Sequence, residues 1–189
     1  MNELETYIHS YFDASREDIQ KLASFFRDQH LEKGDFHTRE GQYNSGLSFV
    51  RKGYLRIYSI QKGKEVTQWI TSPGEFVTEL GSLLFQTTAR WHIQALTEVS
   101  LFTISAHDYR ELPHVLPNWL KLERLFVSKC FMFLEDRVHA FLSLTAEERY
   151  EMMYAEKWEL FNQVPLQYLA SMLGMTPETL SRIRKKSIS

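Results

Sequence analysis

The apolar positions of this chain change their period along its length, and each change marks a different kind of structure. Near the start, Leu4, Ile8, Tyr11 and Phe12 form a short helical stripe. Ser15, with Asp18 three residues on, has the outline of a cap opening a second helix whose buried face is Ile19, Leu22, Phe25 and Phe26. From about Gln29 the texture becomes short segments punctuated at Lys33-Gly34, Glu40-Gly41, Lys52-Gly53, Lys62-Gly63 and Pro73-Gly74. Turn signals roughly every 8 to 12 residues predict an all-β unit, a sandwich or barrel. Strands are expected over Gly46 to Val50, Tyr54 to Ile60, which nearly alternates, Val66 to Thr71, Trp91 to Leu96 and Val99 to Ile104. Short helices are expected around Leu80 to Phe85 and over His107 to Leu112.

Beyond Pro117 a single long helix is predicted to roughly Ser143, with no glycine or proline inside it. Val127, Phe131, Leu134, Val138 and Phe141 are spaced as a heptad seam. Phe126, Cys130 and Phe133 add a second apolar strip. Such a helix is either buried within its own domain, or packs one strip on the β unit and offers the other to the same helix of a second chain; the two-sided pattern favours the latter. Thr145 and Glu148 then form a capping box opening a helix through about Glu156, the first of an expected three-helix terminal unit.

The last stretch, Val164 to Lys186, places two short helical patterns around a glycine, the outline of a DNA-binding helix-turn-helix. Leu166, Leu169, Ala170 and Leu173 line one face of a first helix, and Gly174 ends it. Thr176 is a natural N-cap for the second, Pro177 suits its first turn, and Leu180 and Ile183 bury it. Thr176, Glu178, Thr179, Ser181, Arg182, Lys185 and Lys186 are then the candidate DNA-binding residues. Any small amphipathic helical hairpin would share the apolar spacing, but charge separates the two readings. From Leu166 onward four basic residues, Arg182, Arg184, Lys185 and Lys186, face one acidic residue, Glu178, in a chain whose total is −2.

The rest of the composition narrows the class. A chain of 189 residues with 43% hydrophobic content can bury one medium domain and a small one. With Cys130 the only cysteine, no disulfide framework and no four-cysteine metal centre forms within one chain, which fits a reducing cytoplasm. The opening M-N-E-L-E-T-Y has no signal-peptide pattern and no long apolar run occurs, so neither secretion nor membrane spanning is expected.

Three motifs carry a resemblance: P-G-E-F-V-T-E-L-G (Pro73 to Gly81), A-L-T-E-V-S-L-F-T-I-S (Ala95 to Ser105) and L-A-S-M-L-G-M-T-P-E-T-L-S-R (Leu169 to Arg182). Together with the order of elements they make the chain similar to the Crp/Fnr family of bacterial transcription regulators. The resemblance implies an α+β chain. Its N-terminal part, residues 1–116, would be a double-stranded β-helix or jelly-roll like a cyclic nucleotide-binding domain. A long dimerisation helix would span 117–143 and a helix-turn-helix domain 144–189. It implies a homodimer held through Val127, Phe131, Leu134, Val138 and Phe141, double-stranded near-palindromic DNA as partner, a small-molecule effector, and RNA polymerase as a further partner. Glu178, Ser181 and Arg182 stand where the family's recognition helix carries E-x-x-[SG]-R, and Glu and Arg suit cytosine N4 and guanine O6/N7.

Glu79, Leu80, Gly81 and Arg90 mark the expected effector pocket, but two departures weigh against a cyclic nucleotide. Thr78 replaces a small glycine, and counting back from Ala95 puts Ala89 where the phosphate-binding arginine belongs and Arg90 one place on, able to reach a phosphate if a loop shifts register by one but on the opposite face if the segment is a strand. With three residues beyond Lys186, too few for a hairpin wing, DNA contact is expected mainly from the helices. A cupin-type metalloenzyme would need clustered histidines; the seven here are scattered, so no metal site is expected, and no catalytic motif appears. Haem, needing one or two ligands, stays compatible with the sequence, and Trp69 and Trp91 serve either a core or an aromatic pocket. The alternative function is a β-roll sensor or interaction module whose C-terminal unit does not bind DNA.

Overall fold

The computed structural model describes residues 3–12, 14–43 and 46–188, with Ser10, Ser187 and Ile188 described by backbone alone; Met1, Asn2 and Ser189, at the ends of the expected first and last segments, lie outside it. Two helices open the chain, α1 (Glu3–Tyr11) and α2 (Arg16–Ala23). Ser15 caps α2 by accepting the Asp18 N–H at 3.1 Å. The helix ends before Phe25 and Phe26, contrary to the sequence expectation. The Phe25 and Phe26 N–H groups bond three residues back, to Leu22 and Ala23 at 3.1 Å each, and these tight turns bury Phe26 from outside the helix.

Eight strands follow: β1 (Arg27–Leu31), β2 (Phe36–Thr38), β3 (Leu47–Lys52), β4 (Leu55–Gln61), β5 (Lys64–Thr71), β6 (Phe76–Val77), β7 (His92–Ala95) and β8 (Val99–Ile104). They form two four-stranded antiparallel sheets, ordered β1-β8-β3-β6 and β2-β7-β4-β5, so the β unit is the expected roll. Leu31, Val50, Leu55, Val77, Ile93, Ala95, Val99 and Leu101 fill its inside. The Lys62-Gly63 turn joins β4 to β5 with positive φ at both residues, 51° and 77°, the primed geometry that suits the strands' twist.

Between β6 and β7 lies α3 (Leu80–Phe85), and after β8 come α4 (Ala106–Val115) and the long α5 (Trp119–Ser143). The first turns of α5 are anchored. Trp119, Leu122 and Phe126 are each 2% exposed in a cluster with Leu4, Ile8 and Phe12 of the opening helices and Tyr109 and Leu112 of α4. Burying side chains of this size contributes roughly 1.5–3 kcal/mol each, which fixes the direction in which α5 leaves the roll.

The terminal unit holds four helices, α6 (Ala146–Lys157), α7 (Leu160–Gln163), α8 (Leu166–Met172) and α9 (Pro177–Ile188), where three were expected. A single turn such as α7 leaves no period in the sequence; Leu160 and Phe161 make it by dropping into the unit's core. The Thr145–Glu148 capping box is present, with the Thr145 N–H on the Glu148 carboxylate at 2.7 Å and the Glu148 N–H on Thr145 Oγ1 at 3.3 Å. Gly174 takes φ +67° between α8 and α9 while the Met175 N–H returns to the Ala170 carbonyl at 3.0 Å. A Cβ there would lie 2.6 Å from Phe141 Cε1, so a side chain is barred by both conformation and space.

The near-alternation of Tyr54 to Ile60 does not leave one face of β4 in water. Leu55 and Ile57 join the inside of the roll, but Arg56 and Tyr58 on the other face are buried as well. The cover is α8, whose Tyr168 ring lies 3.9 Å from the Arg56 guanidinium carbon, and whose Ser171 Oγ accepts the Thr67 N–H of β5 at 2.9 Å. One cluster accordingly mixes Tyr54, Trp69, Ile70 and Leu96 of the roll with Leu169, Ala170, Leu173 and Leu180 of the terminal unit.

Candidate functional site

Two sites come from the fold, a helix face and a cavity. The helix face belongs to α9. Thr176 Oγ1 accepts the Thr179 N–H at 3.2 Å, starting the helix at Pro177. Leu180 is fully buried and Ile183 6% exposed, so this side of the helix is fixed against the terminal unit. The opposite side presents Pro177, Glu178, Ser181, Arg182 and Lys185 around a shallow groove. Glu178's carboxyl is held below the ordinary range by its own backbone N–H and by the Thr176 hydroxyl, so it meets any partner as an anion able only to accept. Of the remaining candidates, Thr176 and Thr179 face each other, 3.2 Å apart through their hydroxyls, and Lys186 reaches back to Glu147 of α6 at 2.7 Å. A basic, hydrogen-bonding face on an exposed second helix after a glycine turn has the shape and chemistry to enter a major groove.

The cavity, about 340 Å³, lies between the roll and α5. Apolar wall comes from Ile57, Trp69, Val77, Ile93, Phe126, Phe133 and Leu134. The second apolar strip of α5, Phe126, Cys130 and Phe133, thus faces the β unit, with the Phe133 ring edge-on to Trp69 at 4.8 Å. Tyr11 also lines it, its hydroxyl pushed up to about 12 by burial, Glu75 and Cys130, and so neutral; burial raises the Cys130 thiol too. The hydroxyls of Thr71 and Thr78, two more wall residues, have no hydrogen-bond partner among the described residues.

All four expected pocket residues are brought together at this cavity or beside it. Glu79, 2% exposed, folds back as the N-cap of α3, with Oε2 on the Ser82 N–H at 2.7 Å and Oε1 receiving Arg90 Nε at 3.2 Å. Gly81 makes room, since a Cβ there would stand 3.2 Å from that carboxylate. Leu80 and Arg90 line the wall, whereas Ala89 is buried with its N–H on the Gln42 carbonyl. Of the two placements open to Arg90, the structure takes the loop one: residues 86–91 are irregular, so strand parity does not govern them. Its Nε is paired with Glu79, and the α3 N-terminus is already capped by the same carboxylate. A phosphate brought to this end would have to share Arg90 with an anion, which weighs against a cyclic nucleotide.

Sequence reasoning missed Arg137. It lines the cavity from α5, donates through Nη1 to the Gln68 carbonyl of β5 at 2.7 Å and through Nη2 to the Met172 carbonyl of α8 at 3.4 Å, and stands 4.7 Å from the Trp69 ring. Burial lowers it to about 10. No periodicity marks it, because its partners are backbone groups distant in sequence. The seam on α5 also divides. Val127 packs into the core of its own chain, Leu134 lines the cavity while 44% exposed, and Phe141 leans on Gly174 and the Arg149 guanidinium, leaving Phe131 and Val138 the most exposed at 60% and 58%.

Comparisons agree with this geometry. Residues 28–114 match the family model of the cyclic nucleotide-binding domain. No match was found among curated protein sequences. Among solved structures, the chain is similar to the catabolite activator protein of Thermus thermophilus at 22% identity, covering 91% of this chain and 83% of that one with a TM-score of 0.57. It is also similar to FixK2 from Bradyrhizobium japonicum at 17% identity, over 85% and 83% of the two chains with a TM-score of 0.70. A third is CLP, the c-di-GMP responsive global regulator of Xanthomonas campestris, at 18% identity over 91% of each chain with a TM-score of 0.64. At these identities the likeness is one of fold, and it extends through the roll, the long helix and the terminal unit. No helix among the described residues is long and apolar enough to cross a membrane.

Proposed function

We propose that this chain, with a β-roll matched by the cyclic nucleotide-binding domain model and the fold of Crp/Fnr-like regulators, is a cytoplasmic transcription regulator that binds near-palindromic double-stranded DNA as a homodimer. It works as a binding protein and not as an enzyme. The observation that carries the reading is α9, whose apolar side is buried while Glu178, Ser181, Arg182 and Lys185 line its outer groove. In this role residues 1–116 form the sensor, 117–143 the dimerisation helix and 144–189 the DNA-binding domain. Glu178, Ser181 and Arg182 read base edges; Lys185 and Lys186 meet phosphates, with Thr176 and Thr179 at the helix start. Phe131 and Val138, flanked by Val127, Leu134 and Phe141, meet the second chain. The cavity between the roll and α5 takes a small-molecule effector, and RNA polymerase is a further partner in this reading.

Selection of bound sequences from random DNA, with and without candidate ligands, tests this. Enrichment of a motif with two related half-sites is expected. Failure to enrich any motif under every condition would overturn it and leave a sensor or interaction module that does not bind DNA.

A further inference from the structure

The charges around the cavity do not balance in place. Five charged residues line it, Glu75, Glu79, Arg90, Lys129 and Arg137. Both carboxylates have a cation: Glu79 holds Arg90, and Glu75 holds Lys157 of α6 in a close ion pair. Arg137 has no carboxylate within ion-pair distance among the described residues; its only polar partners there are the two carbonyl oxygens. A guanidinium carries five N–H donors in a planar fork, so two carbonyls leave most of the fork unused. Burial has already removed much of its water, which is why its pKa falls. An anion delivered there would recover the lost solvation through a charge-assisted, bidentate contact.

The rest of the wall restricts what the anion can be attached to. Apart from its charged groups the wall is mostly aromatic and aliphatic, and the space is at the small end of ligand pockets. A sugar-phosphate would bury several hydroxyls against Trp69, Phe133 and Ile93, and the unpaired hydroxyls of Thr71 and Thr78 could answer only some of them. At the Glu79 end Arg90 is more exposed and is shared with a carboxylate through its Nε.

We propose, resting on the effector role given above, that this cavity binds a small apolar carboxylic acid, its carboxylate on the Arg137 fork and its aryl or alkyl body against Trp69, Phe133, Ile57 and Ile93. Arg137 is also the side chain that joins the cavity to β5 and to the last residue of α8. A carboxylate that draws the guanidinium toward the cavity therefore acts on one of the contacts that dock the helix-turn-helix against the roll.

Calorimetry with the full chain tests the assignment, using 1-naphthaleneacetate and octanoate, their neutral primary amides, and cyclic AMP as probes. Each acid should bind at least about ten-fold more tightly than its amide, the scale of one charge-assisted contact, and cyclic AMP should bind more weakly than either acid. Arg137→Gln should remove the acid's advantage while the amides bind as before. Should that variant fail to fold, judged by its melting transition, Arg137→Lys keeps the charge but not the fork, and a reduced acid-to-amide ratio is expected. Equal binding of acid and amide, an acid preference that survives Arg137→Gln, or no binding of any acid would each overturn the proposal. Cyclic AMP binding tightly and lost in Arg90→Ala would overturn it in favour of a nucleotide pocket. A DNA motif enriched while no acid binds would sink this inference alone, whereas no motif under any condition removes the regulatory reading first.

Discussion

Two helices, α5 and α9, are each buried on one side and exposed on the other, yet the exposed sides have opposite physical meanings. On α5 the side away from the roll carries Phe131, Met132, Val138 and Leu142 at 60%, 61%, 58% and 83% exposure. On α9 it carries Glu178, Ser181, Arg182 and Lys185. Apolar area left in water costs roughly 25 cal/mol per Å², so the α5 surface gains by meeting a complementary apolar surface. Charged and hydroxyl groups lose little in water and gain only from a partner that supplies matching charge and acceptors. Exposure alone therefore does not identify an interface; the chemistry of the exposed side is what supports the proposed protein partner for one helix and the proposed polyanion for the other.

The strongest way to break the contrast is to put charge on the apolar side. The double variant Phe131→Asp, Val138→Asp should convert a dimer at tens of micromolar into a monomer, because each carboxylate would have to be buried unpaired to keep the interface. Light scattering reads the mass directly. A monomeric wild type, or a variant that still dimerises, would remove α5 as the assembly surface.

A smaller effect is expected where the two helices come together, at Gly174. Phe141, the last member of the α5 seam, occupies the space a Cβ would need at the turn between α8 and α9. Gly174→Ala should destabilise the chain by about 1–3 kcal/mol, partly from the left-handed backbone and partly from the clash. Phe141→Ala in the same background should recover the steric part and leave the conformational part. Denaturant titrations of the four proteins of this cycle would show the coupling; purely additive effects would mean that Phe141 does not support the turn.

Comparable in size, and confined to DNA, is the loss expected at Arg182. Arg182→Ala should cost about 1–3 kcal/mol on the preferred site and relax preference at one base pair. Competition binding against random DNA measures it. An unchanged ratio of specific to non-specific affinity would make Arg182 another phosphate contact.

How much of this was legible in the chain depends on how local the cause is. The ranges of α3 and β8, the end of α5 and the capping box at Thr145 follow from nearby residues, and the structure reproduces them. The short strands β1, β2 and β6 and the single turn α7 went unseen, because each is made by pairing or burial across long sequence separations. The covering of Arg56 and Tyr58 by α8 belongs to the same class: an alternating strand announces one buried face, and nothing nearby says that a helix more than 100 residues later will cover the other. Glu79 and Arg90 were found through a motif, but their mutual ion pair, which bears on the ligand, depends on an irregular segment that no period describes. Arg137 left no signal at all, since a cation whose partners are carbonyl oxygens looks in sequence like any solvated charge.

The finest test of the comparison concerns Lys186, at the edge of the α9 surface. As a phosphate contact it should weaken all DNA sequences alike when replaced by alanine and lower the salt slope by about one. The structure adds a competitor, because Lys186 is bound to Glu147 of α6 at 2.7 Å, and this partner raises its pKa through the hydrogen bond and the nearby charge. Lys186 therefore stays cationic but must leave Glu147 to reach a phosphate, so part of what it gains on DNA is spent on the lost pair. Glu147→Ala removes that competition and should tighten binding to every sequence by about two- to five-fold, as expected for release of one exposed pair, without changing base preference. Made in the Lys186→Ala background, the same substitution should lose that gain and retain only the general benefit of removing a negative charge near DNA. Affinities of the four proteins at two salt concentrations give the coupling. If Glu147→Ala helps equally with and without Lys186, the ion pair does not govern the contact, and Lys186 belongs with the terminal unit's own stability and not with the DNA surface of α9.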